Sequence, residues 1–157
     1  MSRHLIGLIS DTHGLVRPDV HDALAGVELI LHAGDVGGDE ILIELGTIAP
    51  VLAVFGNTDP RTPDLPAERV RAVGGLAIHV SHGHELGSPT PERLLRAYPH
   101  DVLVYGHTHR QLVARADGRL VVNPGAAGPR RFDVLPSVAR LTIDGGVAEV
   151  EVVPLKA

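Results

Sequence analysis

Five times along this chain a short apolar run stops and gives way, within a few residues, to glycine and side chains that can hold a metal. His4 to Ser10 runs into Asp11-Thr12-His13-Gly14. Leu29-Ile30-Leu31-His32-Ala33 runs into Gly34-Asp35, and Val51 to Phe55 into Gly56-Asn57. Leu76 to Ser81 runs into His82-Gly83-His84, and Asp101 to Tyr105 into Gly106-His107-Thr108-His109. Short apolar runs bounded by glycine read as buried strands. In an open α/β sheet, ligands collect outside the carboxyl ends of the strands. A chain that repeats strand, glycine, ligand is therefore expected to aim these strand ends at one point. Asp35, whose two oxygens can bridge two cations, stands at its centre.

The segments between the strands fit that plan. Helices are expected from about Pro18 to Leu24, from Asp39 to Leu45, and from the Thr90 cap and Pro91 to about Tyr98. Strand, helix, strand, helix, strand over the first 55 residues is the pattern of right-handed crossovers and a parallel sheet. Pro60 to Pro66 reads as a loop. Hairpins are expected around Gly74-Gly75, across Asp117-Gly118, and around Asp144-Gly145-Gly146 between Ser137 to Ile143 and Val147 to Val153. No internal boundary or low-complexity tract divides the chain, so residues 1–157 are expected to form a single domain.

Composition narrows the chemistry. With no cysteine, disulfides and thiolate metal sites are excluded. Ten histidines against two tyrosines, two phenylalanines and no tryptophan favour imidazole ligation and acid–base work over stacking. A net charge of −5 gives no electrostatic footprint for a duplex, so stable nucleic-acid binding is not expected. No apolar run approaches the roughly 20 residues of a membrane span, and no basic-then-apolar leader precedes the first strand. A soluble, cytoplasmic protein is the expectation.

Seven residues at the strand ends form a mixed nitrogen and oxygen donor set: Asp11, His13, Asp35, Asn57, His82, His107 and His109. Such a set suits Mn, Fe, Co, Ni or Zn. Seven donors are too many for one tetrahedral ion and suit two ions of higher coordination that share a carboxylate. Two metals about 3.5–4 Å apart can hold a hydroxide and clamp a phosphoryl group for in-line displacement. Taken singly, each residue is more often a structural turn, surface or core residue than a ligand. Five strand ends carrying ligand types together do not.

The ordered set Asp11-Thr12-His13, Gly34-Asp35, Gly56-Asn57-Thr58-Asp59, His82-Gly83-His84 and Gly106-His107-Thr108-His109 resembles the calcineurin-like metallophosphoesterases. It is most similar to the short bacterial and archaeal phosphodiesterase branch that also contains the retromer subunit Vps29. The resemblance spans nearly the whole chain. It implies an α/β fold, a four-layer αββα sandwich with two central mixed sheets and a dinuclear site at the strand ends. By it, Asp11, His13 and His109 would hold one ion, and Asn57, His82 and His107 a second. Asp35 would bridge them. The ions would be two divalent metals, Mn2+ first, with Ni2+, Co2+, Fe2+ or Zn2+ as alternatives. The substrate would be a small phosphodiester or nucleotide-like ester, attacked in line by a hydroxide bridging the ions.

The chain departs from that pattern at Thr58, where many members carry a histidine that protonates the leaving group. That task would pass to water or to His84, or be dispensable with good leaving groups. Asn57 would also touch the substrate. Arg130 and Arg131 could grip its phosphate bidentately, although a solvated loop is the preferred reading of both arginines. His32 is expected to pack behind the ligands, and Asp59 either to orient a ligand or to begin the Pro60 turn. The rival reading is a non-catalytic metal-binding scaffold of the Vps29 kind. The complete ligand set favours the enzyme. The edge strands of the last hairpins could pair between subunits.

Overall fold

The computed structural model describes residues 3–130 and 134–156. One five-stranded sheet has the order β10-β9-β1-β2-β3, from β1 (Arg3–Ile9), β2 (Leu29–His32), β3 (Val51–Ala53), β9 (Ser137–Asp144) and β10 (Val147–Pro154). The other has the order β4-β5-β6-β8-β7, from β4 (Glu68–Val73), β5 (Leu76–Ser81), β6 (Val102–Val104), β7 (Leu112–Ala116) and β8 (Arg119–Asn123). Each sheet is mixed and holds three parallel strands side by side. These are β1, β2 and β3 in the first, and β5, β6 and β8 in the second.

Alternation along the strands divides the apolar residues between two faces. Ile6, Leu8, Leu31, Ile78, Val80, Val104, Val122 and Leu141 fill the space between the sheets. Ile9 and Ile30 face outward and meet Val20, Leu24, Ile41 and Leu45 from α1 (Val20–Ala23), its C-cap and α2 (Asp39–Gly46). Leu103 and Val121 face outward on the second sheet and meet Leu94 of α3 (Pro91–Ala97). Covering both faces of each sheet makes the strands read as continuous apolar runs, and gives the four layers that the resemblance implies.

The expected elements form with shifted edges. The Thr90 Oγ1 accepts from the Arg93 N–H at 3.2 Å and Pro91 opens the helix, as the cap signal predicts. The first helix is a single turn rather than the span from Pro18 to Leu24. Tertiary contact sets its length: Val20 and Leu24 seat on β1, where the missing side chain of Gly7 makes room for Leu24. The third strand stops at Ala53 instead of Phe55. A 3-10 turn at His84–Leu86 had no signal in the sequence. None of the described helices is long and apolar enough to cross a membrane.

Candidate metal centre

All the parallel strands end on the same rim. Following their C-terminal ends are Asp11 from β1, Asp35 from β2, Asn57 from β3, His82 from β5, His107 and His109 from β6, and Asn123 closing β8. A period-two extension of β1 would put Asp11 and His13 on one side. The backbone does not continue extended. Asp11, His13, Asp35, His107 and His109 all have positive φ, between 45° and 75°. The one other non-glycine residue with positive φ among the described residues is Asp117, in a hairpin turn. Such a backbone costs about 1–3 kcal/mol at each residue and gathers where function demands it. Here the left-handed twist turns each side chain inward off its strand end.

The two carboxylates are built alike. Asp11 Oδ2 accepts from the Ser10 hydroxyl at 2.7 Å and from the His107 N–H at 3.1 Å. Its buried Oδ1 has no hydrogen-bond partner, and it faces His109 Nε2 at 3.3 Å, with His13 Nε2 and His82 Nε2 each at 3.8 Å. Asp35 Oδ1 accepts from the Thr58 N–H at 3.0 Å and the Thr58 hydroxyl at 2.8 Å. Its Oδ2 faces His82 Nε2 at 3.3 Å and His13 Nε2 at 3.6 Å. In each pair one oxygen is pinned by the protein and the other is aimed at imidazole nitrogens. Donor atoms of Asp11, His13, Asp35 and His109 lie within 4.8 Å of one another.

The remaining ligand candidates close the second half of the rim. His82 Nδ1 lies 2.8 Å from the Ala33 carbonyl, so this nitrogen donates, and the buried, unpartnered Nε2 is the ring atom turned toward the carboxylates. Asn57 Oδ1 lies 3.2 Å from His107 Nδ1. The geometry fits divalent cations: two buried atoms, Asp11 Oδ1 and His82 Nε2, point at one space with nothing to bond, and the donors are hard oxygens and imidazoles.

Electrostatics point the same way. Burial pushes the Asp35 carboxyl up, but His82 and the Thr58 donors more than offset it and hold it well below the usual range. Burial likewise raises Asp11, and His109, His82 and Ser10 pull it below its ordinary value. Burial lowers His82, and the carboxylates of Asp35 and Asp11 bring it above. The carboxylates therefore stay ionised and want positive charge beside them. For His84, burial and then the charge of His82 lower the imidazole, with Arg61 acting in the same direction.

Glycines make this convergence possible. A Cβ on Gly56 would lie 2.0 Å from Asp35 Oδ1, and one on Gly106 would lie 2.1 Å from Ser10 Oγ and 2.6 Å from Asp11 Oδ2. The glycine that ends one strand is the space into which the carboxylate from another strand end fits.

Several supporting residues were not assigned these contacts from the sequence. The Thr58 hydroxyl, read as a gap in the family pattern, holds Asp35. The Asp59 carboxylate accepts from the N–H groups of Val36, Gly37 and Gly56 at 2.9–3.2 Å, tying the second strand end to the third. Asn123 donates to the Gly106 carbonyl and the Thr108 hydroxyl, fixing the loop that carries His107 and His109. His32 is fully buried. It accepts from the Gly34 N–H through Nδ1 at 3.1 Å and meets the Thr12 hydroxyl through Nε2 at 2.9 Å, and Thr12 Oγ1 donates to the Val36 carbonyl. That chain of bonds requires the neutral Nε2–H tautomer. His84 lies at the edge, its ring 5.3 Å from that of His82 and 6.3 Å from that of His107. Arg130 is exposed, with no hydrogen bond or ion pair to the described residues, and Arg131 lies outside them.

Comparison with known proteins gives one consistent result. Residues 5–146 match the model of the calcineurin-like phosphoesterase superfamily domain. A protein of Methanothermobacter thermautotrophicus named "Probable metallophosphoesterase" is 38% identical, covering 95% of this chain and 91% of its own. A phosphodiesterase of Methanocaldococcus jannaschii is 28% identical over 76% of this chain and 82% of its own. The crystal structure of Vps29 from Entamoeba histolytica complexed with Zn2+ superposes with a TM-score of 0.76 at 27% identity, covering 96% of this chain and 98% of that one.

Proposed function

Starting from a chain that belongs to the calcineurin-like phosphoesterase superfamily, we propose a divalent-metal-dependent phosphodiesterase that hydrolyses small phosphodiesters. One observation carries the reading: two buried carboxylates each keep one oxygen pinned and aim the other at a cluster of imidazoles. In this reading Asp11, His13 and His109 hold one ion, Asn57, His82 and His107 a second, and Asp35 lies between them. Two divalent ions, Mn2+ first, would supply a water of lowered pKa and neutralise charge on the phosphoryl oxygens. The relative named as a phosphodiesterase supports the diester class.

The protein's own groups have distinct parts in this scheme. Ser10 and Thr58 fix the orientation of Asp11 and Asp35, so the donor set is preorganised before substrate arrives. With its carbonyl oxygen toward His107, Asn57 keeps its amide N–H groups for a phosphoryl oxygen. Thr58 is committed to Asp35 and offers no proton of useful acidity. In this reading the leaving group takes its proton from water or from His84, partly exposed at the edge, or needs none when it leaves readily. Arg130 and Arg131 would also meet the phosphate.

The test is hydrolysis of bis(4-nitrophenyl) phosphate and of 4-nitrophenyl phosphate by protein stripped of metal and resupplied with Mn2+, Ni2+, Co2+, Zn2+ or Mg2+. Metal-dependent turnover of the diester, lost in Asp35→Asn, is expected. Likeness to the zinc complex of Vps29 favours a second reading, a metal-binding scaffold for protein partners. Two bound metals with no turnover of either ester would establish that reading instead.

A further inference from the structure

Beside the second half of the rim stands a group that no step above uses. Phe55 precedes Asn57 by two residues, and its ring centroid lies 6.0 Å from that of His84. Arg61, from the proline-bounded loop that follows, lays its guanidinium carbon 5.3 Å over the Phe55 ring. Rings and cation thus form a continuous wall from His82 and His107 outward through His84 and Phe55 to Arg61. The Arg61 side chain is exposed and makes no hydrogen bond or ion pair with any described residue. The Asp59 carboxylate, two residues earlier, is turned toward three backbone N–H groups and makes no ion pair with Arg61.

We propose that Arg61, held over Phe55 beside His84, is a subsite that binds a second anionic group, a phosphate or a carboxylate, on one arm of the phosphodiester. The inference rests on the phosphoesterase reading and names its substrate class. Stacking on an aromatic face holds a guanidinium in place without using any of its five N–H donors. The fork that remains matches a carboxylate or phosphate bidentately. Such a fixed cation matters more here than on most surfaces. The chain carries a net charge of −5 and would otherwise repel a polyanionic ester. Phe55, which carries Arg61, leads within two residues into Asn57 and packs beside His84, so the cation stands next to the second half of the rim. A substrate with a neutral arm gains nothing from this group, so the subsite discriminates among diesters.

The experiment compares three chromogenic diesters with the Mn2+-loaded protein: ethyl 4-nitrophenyl phosphate, its 2-carboxyethyl counterpart and its 2-phosphooxyethyl counterpart. Arg61→Ala is expected to lower kcat/KM for one or both anionic-arm esters about tenfold more than for the ethyl ester, the worth of one charge-assisted hydrogen bond. The arm that responds identifies which anion is read. Arg71→Ala, which removes a charge from the far end of β4, is the control for net charge and should leave the ratios as they are. An equal loss on all three esters in Arg61→Ala overturns the proposal. Calorimetric titration with the matching non-hydrolysable methylphosphonates separates the two readings. If the protein turns over no ester, an anionic preference in binding that Arg61→Ala abolishes keeps the subsite and removes the catalysis. The absence of any such preference removes the subsite.

Discussion

His32 offers the sharpest test of how the two ligand loops are held together. It is fully buried between the Asp11 and Asp35 strand ends, and burial lowers its imidazole from 6.5 to about 4. Both ring nitrogens are engaged in a way that only the neutral ring satisfies, because Nδ1 accepts from the Gly34 N–H. The folded protein takes up this proton near pH 4, the unfolded chain near pH 6.5. Between those values the unfolded state holds more protons, so acid favours unfolding. The stability owed to a neutral His32 is complete above about pH 6.5 and drains away as the pH falls toward 4. From pH 7 to pH 5 the linkage amounts to about 2 kcal/mol. Urea denaturation of chelated protein at the two pH values reads it directly. The parent should lose about 2 kcal/mol more than His32→Gln, which keeps a donor toward Thr12 but does not titrate. Parallel losses would refute the argument. Should His32→Gln fail to fold, NMR titration of the parent decides the question: a His32 ring that protonates near pH 6 contradicts the buried neutral tautomer.

Two further substitutions probe the geometry behind the ligands. Gly56→Ala would place a methyl 2.0 Å from Asp35 Oδ1 and 2.4 Å from the Asp35 nitrogen, so Asp35 must move. Mn2+ affinity by calorimetry should fall on the order of tenfold or more, and an unchanged affinity would show that the strand end has slack. Thr58→Val removes the hydroxyl that pins Asp35 Oδ1 and keeps the backbone N–H. It should weaken Mn2+ binding roughly tenfold, while Thr58→Ser restores it; equal loss in both would assign the effect to packing.

Much of this was legible in the sequence because it depends on period and punctuation. Continuous apolar runs ending in glycine gave the buried parallel strands, and Thr90-Pro91 gave the start of α3. What stayed hidden depends on contacts between distant segments. Gly56 reads as a strand terminator, yet the atom it accommodates, Asp35 Oδ1, belongs to another strand. A period-two reading puts Asp11 and His13 on one side only if the backbone stays extended, whereas both residues are left-handed. Aspartate adopts that region more readily than most residues, and so does histidine, but nothing local signals when they will. Thr58 looked like a missing acid because a residue's chemistry is visible in sequence and its partner is not. The wall of Phe55, Arg61 and His84 escaped notice for the same reason, its members lying on two separate loops.

The donor set also predicts how many ions the protein holds, and stability can count them without any turnover. Asp11, His13, Asp35 and His109 suffice for one ion, with donor atoms inside 4.8 Å. A second ion would take the unpartnered His82 Nε2 and the facing pair of Asn57 and His107. A ligand that binds the folded state alone stabilises it by RT ln(1 + [L]/Kd). Above its Kd, each site therefore adds about 1.4 kcal/mol per tenfold rise in free metal, and two sites add about twice that. Unfolding free energies measured across a series of buffered Mn2+ concentrations should approach the doubled slope in the parent. His107→Ala removes one facing donor of the second ion and should return the slope toward that of a single site, with a folded baseline in chelator. A single-site slope in the parent at every concentration would leave Asp35 as an ordinary terminal ligand. The aimed Oδ2 would then serve one ion, and the bridging role would fall.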